Sequence, residues 1–240
     1  GQKPICTVSA KISGPVIDHL PNLRVISRYG SGTDNIDLAA AETRGVLITN
    51  IPEFCLSEVA DHTMALLLAS ARKLLVMDRA TRSGRWLARI EEPTHRIAGR
   101  QLGLIGFGRI SQEVAKRALA FGLSIVTYDP QLNPQTAESL QVRPVSLEDL
   151  LRESHFVSLH VPLLPSTRHL LSHLQFEMMR SDSILINTAR GAVVDELALV
   201  AALKEKKIGG AAIDVFEGLD LFGPLPDSPD HPLFHLPNVL

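Results

Sequence analysis

Apolar positions along this chain follow two patterns, short unbroken runs and stretches spaced three or four residues apart. Unbroken runs read as strands buried on both faces, and the wider spacing reads as helices. Runs at 5–10, 23–27, 46–49, 102–107, 156–161, 184–189 and 210–216 predict strands, as does the run that ends in Asp129. Helices are predicted near 16–20, stopped by Pro21, and over 37–44, with Gly45 as a C-cap. Others follow over 57–75, 110–121, 168–179 and 196–206, and Ser146 caps a short one. Residues 130–134 read as a loop. Alternating strands and helices predict an α/β fold with parallel sheets. From Gln101 onward there are five such strands, and residues 238–240 begin a sixth, the pattern of a doubly wound sheet. The chain divides into a small α/β piece at 1–52, a connecting helix and arm at 53–98, and a larger domain at 99–240.

The stretch from Gly99 to Asp129 organises the larger domain. A strand meets the turn Gly106-Phe107-Gly108, a helix and a second strand follow, and Asp129 stands 21 residues after Gly108. A dinucleotide-binding unit needs these parts in this order. Gly106 permits a sharp turn, and Gly108, without a Cβ, lets a pyrophosphate approach. The helix behind them, beginning near Arg109 and Ile110, aims its N–H groups at phosphate. Asp129 is placed to accept the ribose hydroxyls of NAD and to repel the 2′-phosphate of NADP, since Pro130, Gln131 and Leu132 supply no cation. Ser111 occupies the third glycine position, and its small size keeps close helix–strand packing possible. A similar turn also serves other ligands, such as S-adenosylmethionine.

Ligands of doubly wound sheets bind beyond the carboxyl ends of the strands. The polar residues predicted there are Asp129, His160, Thr188, Arg190 and Asp214, drawn from distant parts of the sequence. In the first piece a strand runs into Arg28 and the turn Gly30-Ser31-Gly32. Such a turn exposes N–H groups that hold a carboxylate, or is a plain tight turn. Arg28 either meets a charged substrate tail or forms a structural salt bridge. The helix at 57–75 is apolar almost all round, which places it in the interior or an interface. His62 within it reads as a packed or capped histidine. Trp86, on a basic arm, reads as a subunit contact or a local core residue.

Composition narrows the class. Of 240 residues, 45% are hydrophobic, and the net charge of −2 gives no nucleic-acid footprint. No apolar run approaches the roughly 18 residues of a membrane span. The start, GQKPICTVSA, is not a signal peptide. Cys6 and Cys55 lack metal spacing, so no metal site is expected, and a reduced cytoplasmic protein fits better than a disulfide scaffold.

Several blocks together resemble the D-isomer-specific 2-hydroxyacid dehydrogenases. Residues 186–196 (INTARGAVVDE) resemble the signature around that family's catalytic arginine, and 28–37 (RYGSGTDNID) its substrate-domain loop. Residues 160–168 (HVPLLPSTR) and 210–216 (GAAIDVF) match two more blocks, so with the glycine turn five motifs stand in family order. The phrase VADH at 59–62 is similar to the phosphoglycerate dehydrogenase and C-terminal-binding-protein branches. The resemblance implies a flavodoxin-like substrate domain, incomplete here, beside an NAD domain. It implies hydride transfer between NAD(H) and a small D-2-hydroxy acid or 2-oxo acid. Arg190 matches the arginine that binds the substrate carboxylate and carbonyl, and Ser31 and Gly32 match the carboxylate-holding turn. Gly106, Gly108, Arg109, Ile110, Asp129, His160, Val161, Thr188 and Asp214 fall at or beside cofactor positions. Homodimerisation through the cofactor domain is implied too.

The family's acid/base is a histidine paired with a glutamate. Its glutamate position falls on Leu219, within the lengthened segment EGLDLFGP at 217–224. Asp220 is the nearest substitute and Glu217 the next. The family histidine is expected just past residues 237–240 (PNVL), and another strand and helix before residue 5, so both ends of the substrate domain are expected to lie outside this sequence. The altered glutamate also leaves room for a different class, an NAD(H)-sensing interaction protein with little catalysis.

Overall fold

The structure is a computed structural model and describes residues 4–85, 94, 96–218 and 230–240. They fall into two compact units, one reaching to Leu56 and the other starting at Ser57. The first unit holds β1 (Ile5–Thr7), α1 (Gly14–Asp18), β2 (Val25–Arg28), α2 (Leu38–Thr43) and β3 (Leu47–Thr49). Its strands form a parallel sheet in the order β1-β2-β3. Pro15 opens α1, where its missing N–H costs nothing, and Asp37 caps α2 by accepting the Ala40 N–H at 3.0 Å. Ile12, Ile17, Leu23, Ile26, Ile36 and Val46 make a separate small core.

The second unit opens with α3 (Leu56–Ala71) and α4 (Leu74–Arg82). Then come β4 (Gln101–Ile105), α5 (Arg109–Ala120), β5 (Ser124–Tyr128), α6 (Pro134–Ser139), β6 (Val142–Pro144), α7 (Leu147–Glu153) and β7 (Phe156–Leu159). The remainder is α8 (His173–Met178), β8 (Ile184–Asn187), α9 (Glu196–Lys204) and β9 (Gly210–Ile213). All six strands are parallel, in the order β6-β5-β4-β7-β8-β9. The chain winds outward from β4 one way and from β7 the other, so this is a doubly wound sheet whose switch point lies between β4 and β7. One face buries Leu102, Leu104, Ile125 and Phe156 with Met64 and Leu67 of α3 and Val114 of α5. The other buries Ile105, Val126, Val157 and Leu159 with Leu150, Phe176 and Leu199. No helix among the described residues is long and apolar enough to cross a membrane.

Several elements depart from the pattern in the sequence. The helix expected over 57–75 ends at Ala71, where its buried stripe ends, and Lys73 turns the chain at φ 52°. The helix expected over 168–179 covers only α8. His169, at φ 51°, and a parallel bridge from Leu171 to Val194 take up the residues before it. Ser172 then caps α8 with Gln175 in a reciprocal box. A further strand, β6, closes the other edge, and the start expected at 238–240 pairs with β9 through a parallel Val239–Ala211 bridge, with Ala211 N–H donating to Asn238 O at 3.0 Å and Leu240 N–H to Ala211 O at 2.9 Å. Trp86 lies outside the described residues.

Gly103 sets how closely α7 lies on the sheet. A Cβ there would stand 2.5 Å from Leu150 Cδ2 and 2.5 Å from Ser154 Oγ. Gly103→Ala is expected to lower the unfolding free energy by about 1–3 kcal/mol in urea denaturation. An unchanged midpoint would show that α7 moves aside freely.

Candidate functional site

The glycine turn stands at the end of β4, at the switch point. Gly106 has φ 88°, a conformation that favours glycine, and its N–H donates to Tyr128 O at 2.8 Å. A Cβ on it would lie 2.7 Å from His160 O and 2.8 Å from Val161 Cγ1, so the ends of β4 and β7 meet there with no room for a side chain. Phe107 N–H donates to Asp129 Oδ2 at 2.8 Å, and Gln131 N–H donates to Asp129 Oδ1 at 2.8 Å. The Gln112 side chain holds Phe107 O at 3.1 Å. Gly108 caps α5, and among the described residues no atom comes within 4 Å of where its Cβ would be. Open space therefore meets the first N–H groups of α5, as an approaching anion requires. Arg109 is exposed beside this space and Ile110 is half-buried. Ser111 is fully buried, and its Oγ has no hydrogen-bond partner among the described residues. Its small side chain fits the packing that the glycine of the pattern would allow.

The other strand ends carry the remaining predicted residues. His160 turns its Nε2 back onto the buried Ser158 Oγ at 2.9 Å. Burial lowers its pKa to about 4, so its ring is neutral at neutral pH. Its backbone borders the turn, while its ring is engaged beneath. Val161 follows, half-buried. Thr188 Oγ1 meets Thr63 Oγ1 of α3 at 2.9 Å. Asp214, exposed past β9, stands 3.3 Å from His62 Nε2, so His62 is a half-exposed partner of that carboxylate rather than a packed residue. Asn187 joins these ends: Oδ1 accepts the Ala189 N–H at 3.0 Å, Nδ2 donates to Arg190 O at 3.1 Å, and its own carbonyl accepts the Asp214 N–H at 3.0 Å. Arg190 Nη1 donates to Ala189 O at 2.7 Å. The Glu217 carboxylate is taken by Arg168 at 2.8 Å and His169 at 2.7 Å. Asp220 lies outside the described residues.

Sequence reasoning missed Thr63, His62 and Asn187 as members of this group. Asn187 sits inside the INTARG block and could have been found by asking what fixes the loop behind the arginine. Thr63 and His62 are both brought in by α3: Thr63 leaves no mark in the local pattern, whereas His62 stands in the VADH phrase at 59–62.

In the first unit the turn after β2 is self-braced. Gly30 has φ 149°, and its N–H donates to Arg28 O at 3.0 Å. The Arg28 guanidinium folds over this glycine, donating to Tyr29 O and, at 3.3 Å, to Asn35 Oδ1. Arg28 thus supports the turn. Asn50 Nδ2 donates to Ser31 O at 2.8 Å, and Ser31 and Gly32 remain at or near the surface.

The chain is similar to known proteins. The chain is 40% identical over 242 residues to the glyoxylate reductase of Thermococcus gammatolerans, covering 98% of this chain and 70% of that one. It is 41% identical over 233 residues to the D-3-phosphoglycerate dehydrogenase of Methanocaldococcus jannaschii, covering 96% of this chain and 43% of the relative. Among solved structures, D-lactate dehydrogenase from Aquifex aeolicus, complexed with NAD and lactic acid, superposes with a TM-score of 0.90 at 31% identity. That match covers 99% of this chain and 74% of the other. Residues 64–240, which carry the glycine turn and every strand end of the larger sheet, match the NAD binding domain of one family, and the chain belongs to it: the D-isomer specific 2-hydroxyacid dehydrogenases.

Proposed function

We propose that this chain holds NAD(H) in an oxidoreductase that interconverts a small D-2-hydroxy acid and its 2-oxo acid. The observation that carries this reading is the glycine turn at the switch point, with Asp129 bonded to the Phe107 N–H and open space over Gly108. When bound, the nicotinamide would supply or receive the hydride at C2 of the acid, while a proton is gained or lost at its C2 oxygen. Each Asp129 oxygen accepts one backbone N–H and keeps a further lone pair for a ribose hydroxyl. The α5 N-terminus, with Arg109 and Ile110, would hold the pyrophosphate. Val161, Thr188 and the His160 backbone would hold the cofactor beyond, and Asp214 would accept from the carboxamide. Arg190 holds the substrate carboxylate at two points and stabilises the negative charge that grows on the carbonyl oxygen during reduction. In the first unit, Ser31 and Gly32 offer backbone N–H groups of the kind that hold a carboxylate.

We also propose a homodimer and a cytoplasmic location. In α4, Leu74, Leu75, Val76 and Met77 are 54%, 44%, 41% and 42% exposed, an apolar surface suited to a second copy. Both cysteines are free, which suits a reducing compartment.

The full-length protein is expected to oxidise NADH with one or more of glyoxylate, pyruvate, hydroxypyruvate and phosphohydroxypyruvate. Arg190→Ala should lower kcat/KM by about 100-fold or more. Turnover no higher than that of the variant with all four acids would overturn the reading. Fluorescence titration should give NADH at least about tenfold tighter than NADPH, with Asp129→Asn narrowing the gap, because a carboxylate repels the extra phosphate. Equal affinities in the unsubstituted protein would remove that role from Asp129. Sedimentation should find two copies, and Leu74→Glu with Met77→Glu should give monomers. A wild-type monomer would dispose of the dimer.

A further inference from the structure

Glu196 is a buried carboxylate that the reading above leaves unused. It is the first residue of α9 and is only 9% exposed. Its Oε1 accepts the Glu217 N–H at 2.5 Å, and its Oε2 faces His231 Nε2 at 2.8 Å. The other ring nitrogen of His231 accepts the Leu233 N–H at 3.3 Å, which assigns the proton to Nε2 and aims it at Glu196. Two donors from two chain segments therefore converge on one side chain. A carboxylate accepts from both, whereas a carboxamide has one acceptor oxygen and would turn its own N–H against the second donor. The α9 N-terminus favours a negative charge at this position.

What this carboxylate holds lies directly behind the strand ends. The Phe216–Glu217 peptide rests on Gly191 so closely that any Cβ on Gly191 would overlap Phe216 C and O and Glu217 N. Gly191 follows Arg190, and Phe216 stands two residues past Asp214. On the far side the Glu217 carboxylate is tied to Arg168 and His169. The His231 ring packs edge-on against Phe216 at 5.1 Å and tilted against Phe234 at 5.5 Å.

We propose that Glu196 is a positioning residue. Its carboxylate clamps the Phe216–Glu217 peptide and His231 together behind Gly191, and so sets where Arg190 and Asp214 stand. The clamp follows from the geometry alone, while its consequence for ligands rests on the cofactor reading above.

The test compares the 240-residue chain with Glu196→Gln and Glu196→Ala, using Leu197→Ala on the exposed side of α9 as a control. Two quantities are read, hydrogen exchange of the Glu217 amide and the NADH dissociation constant, at a temperature where melting curves show every variant folded. Glu196→Gln should speed Glu217 exchange about tenfold, as expected for losing a bond to a charged acceptor. It should weaken NADH about tenfold, as displaced contact residues do. Glu196→Ala should do at least as much. Combining Glu196→Gln with His231→Gln restores a donor–acceptor match and should recover part of both effects. Faster exchange with an unchanged NADH constant would overturn the positioning role, and unchanged exchange would overturn the clamp. Absence of NADH binding by the wild type would count against the cofactor reading, a different result. The clamp would then be judged by Glu217 exchange alone, with faster exchange in Glu196→Gln supporting it and unchanged exchange overturning it.

Discussion

The bond from the Phe107 N–H to the Asp129 carboxylate is the point from which the site is built outward. It joins the end of β4 to the end of β5 just where the chain must leave the sheet and start α5. It also turns an acidic side chain inward over a turn whose next residue opens to an anion. The contact works only because Gly106 has no side chain, since the His160 carbonyl would otherwise block the turn. One close approach thus aligns three strand ends and fixes the direction of the following helix. Burial on both faces of the sheet makes that alignment rigid, because a shift of any strand would open space in a close-packed interior.

The strand ends on the other side of the switch point are joined differently. There the link is Asn187, 1% exposed, whose amide spans the loop to Arg190 while its carbonyl holds Asp214. Buried hydrogen bonds of this kind do more to fix geometry than the surface ion pairs scattered over the unit. Arg152 with Glu148 and Lys116 with Glu113 sit on exposed helix faces, where such pairs contribute little. The polar groups that matter are those with no water to replace a lost partner.

The strand, glycine turn, helix, strand and acid order made the fold and half of the site legible, because each step has its own local signature. Gly106 and Asp129 could be placed from spacing alone. β6 escaped because Arg143 and Pro144 interrupt its apolar run and only Val142 is buried. The shortened helices escaped because Lys73 and His169 adopt left-handed conformations without being glycine, asparagine or aspartate. Thr63 and Thr188 are separated by 125 positions, and no periodicity links them. His62 was read from its own helix, whereas its partner comes from the end of β9.

The grip of Glu196 on Glu217 and His231 has a consequence for how the chain tolerates change. Both ends of the intervening segment are fastened within reach of one carboxylate, so the distance to be closed does not depend on how many residues lie between. Closure entropy grows only logarithmically with loop length, and each doubling costs about 0.6 kcal/mol. On this account the two described anchors, Glu217 and His231, keep their places against Glu196 whatever the length of chain between them, and the strand ends behind them stay in register.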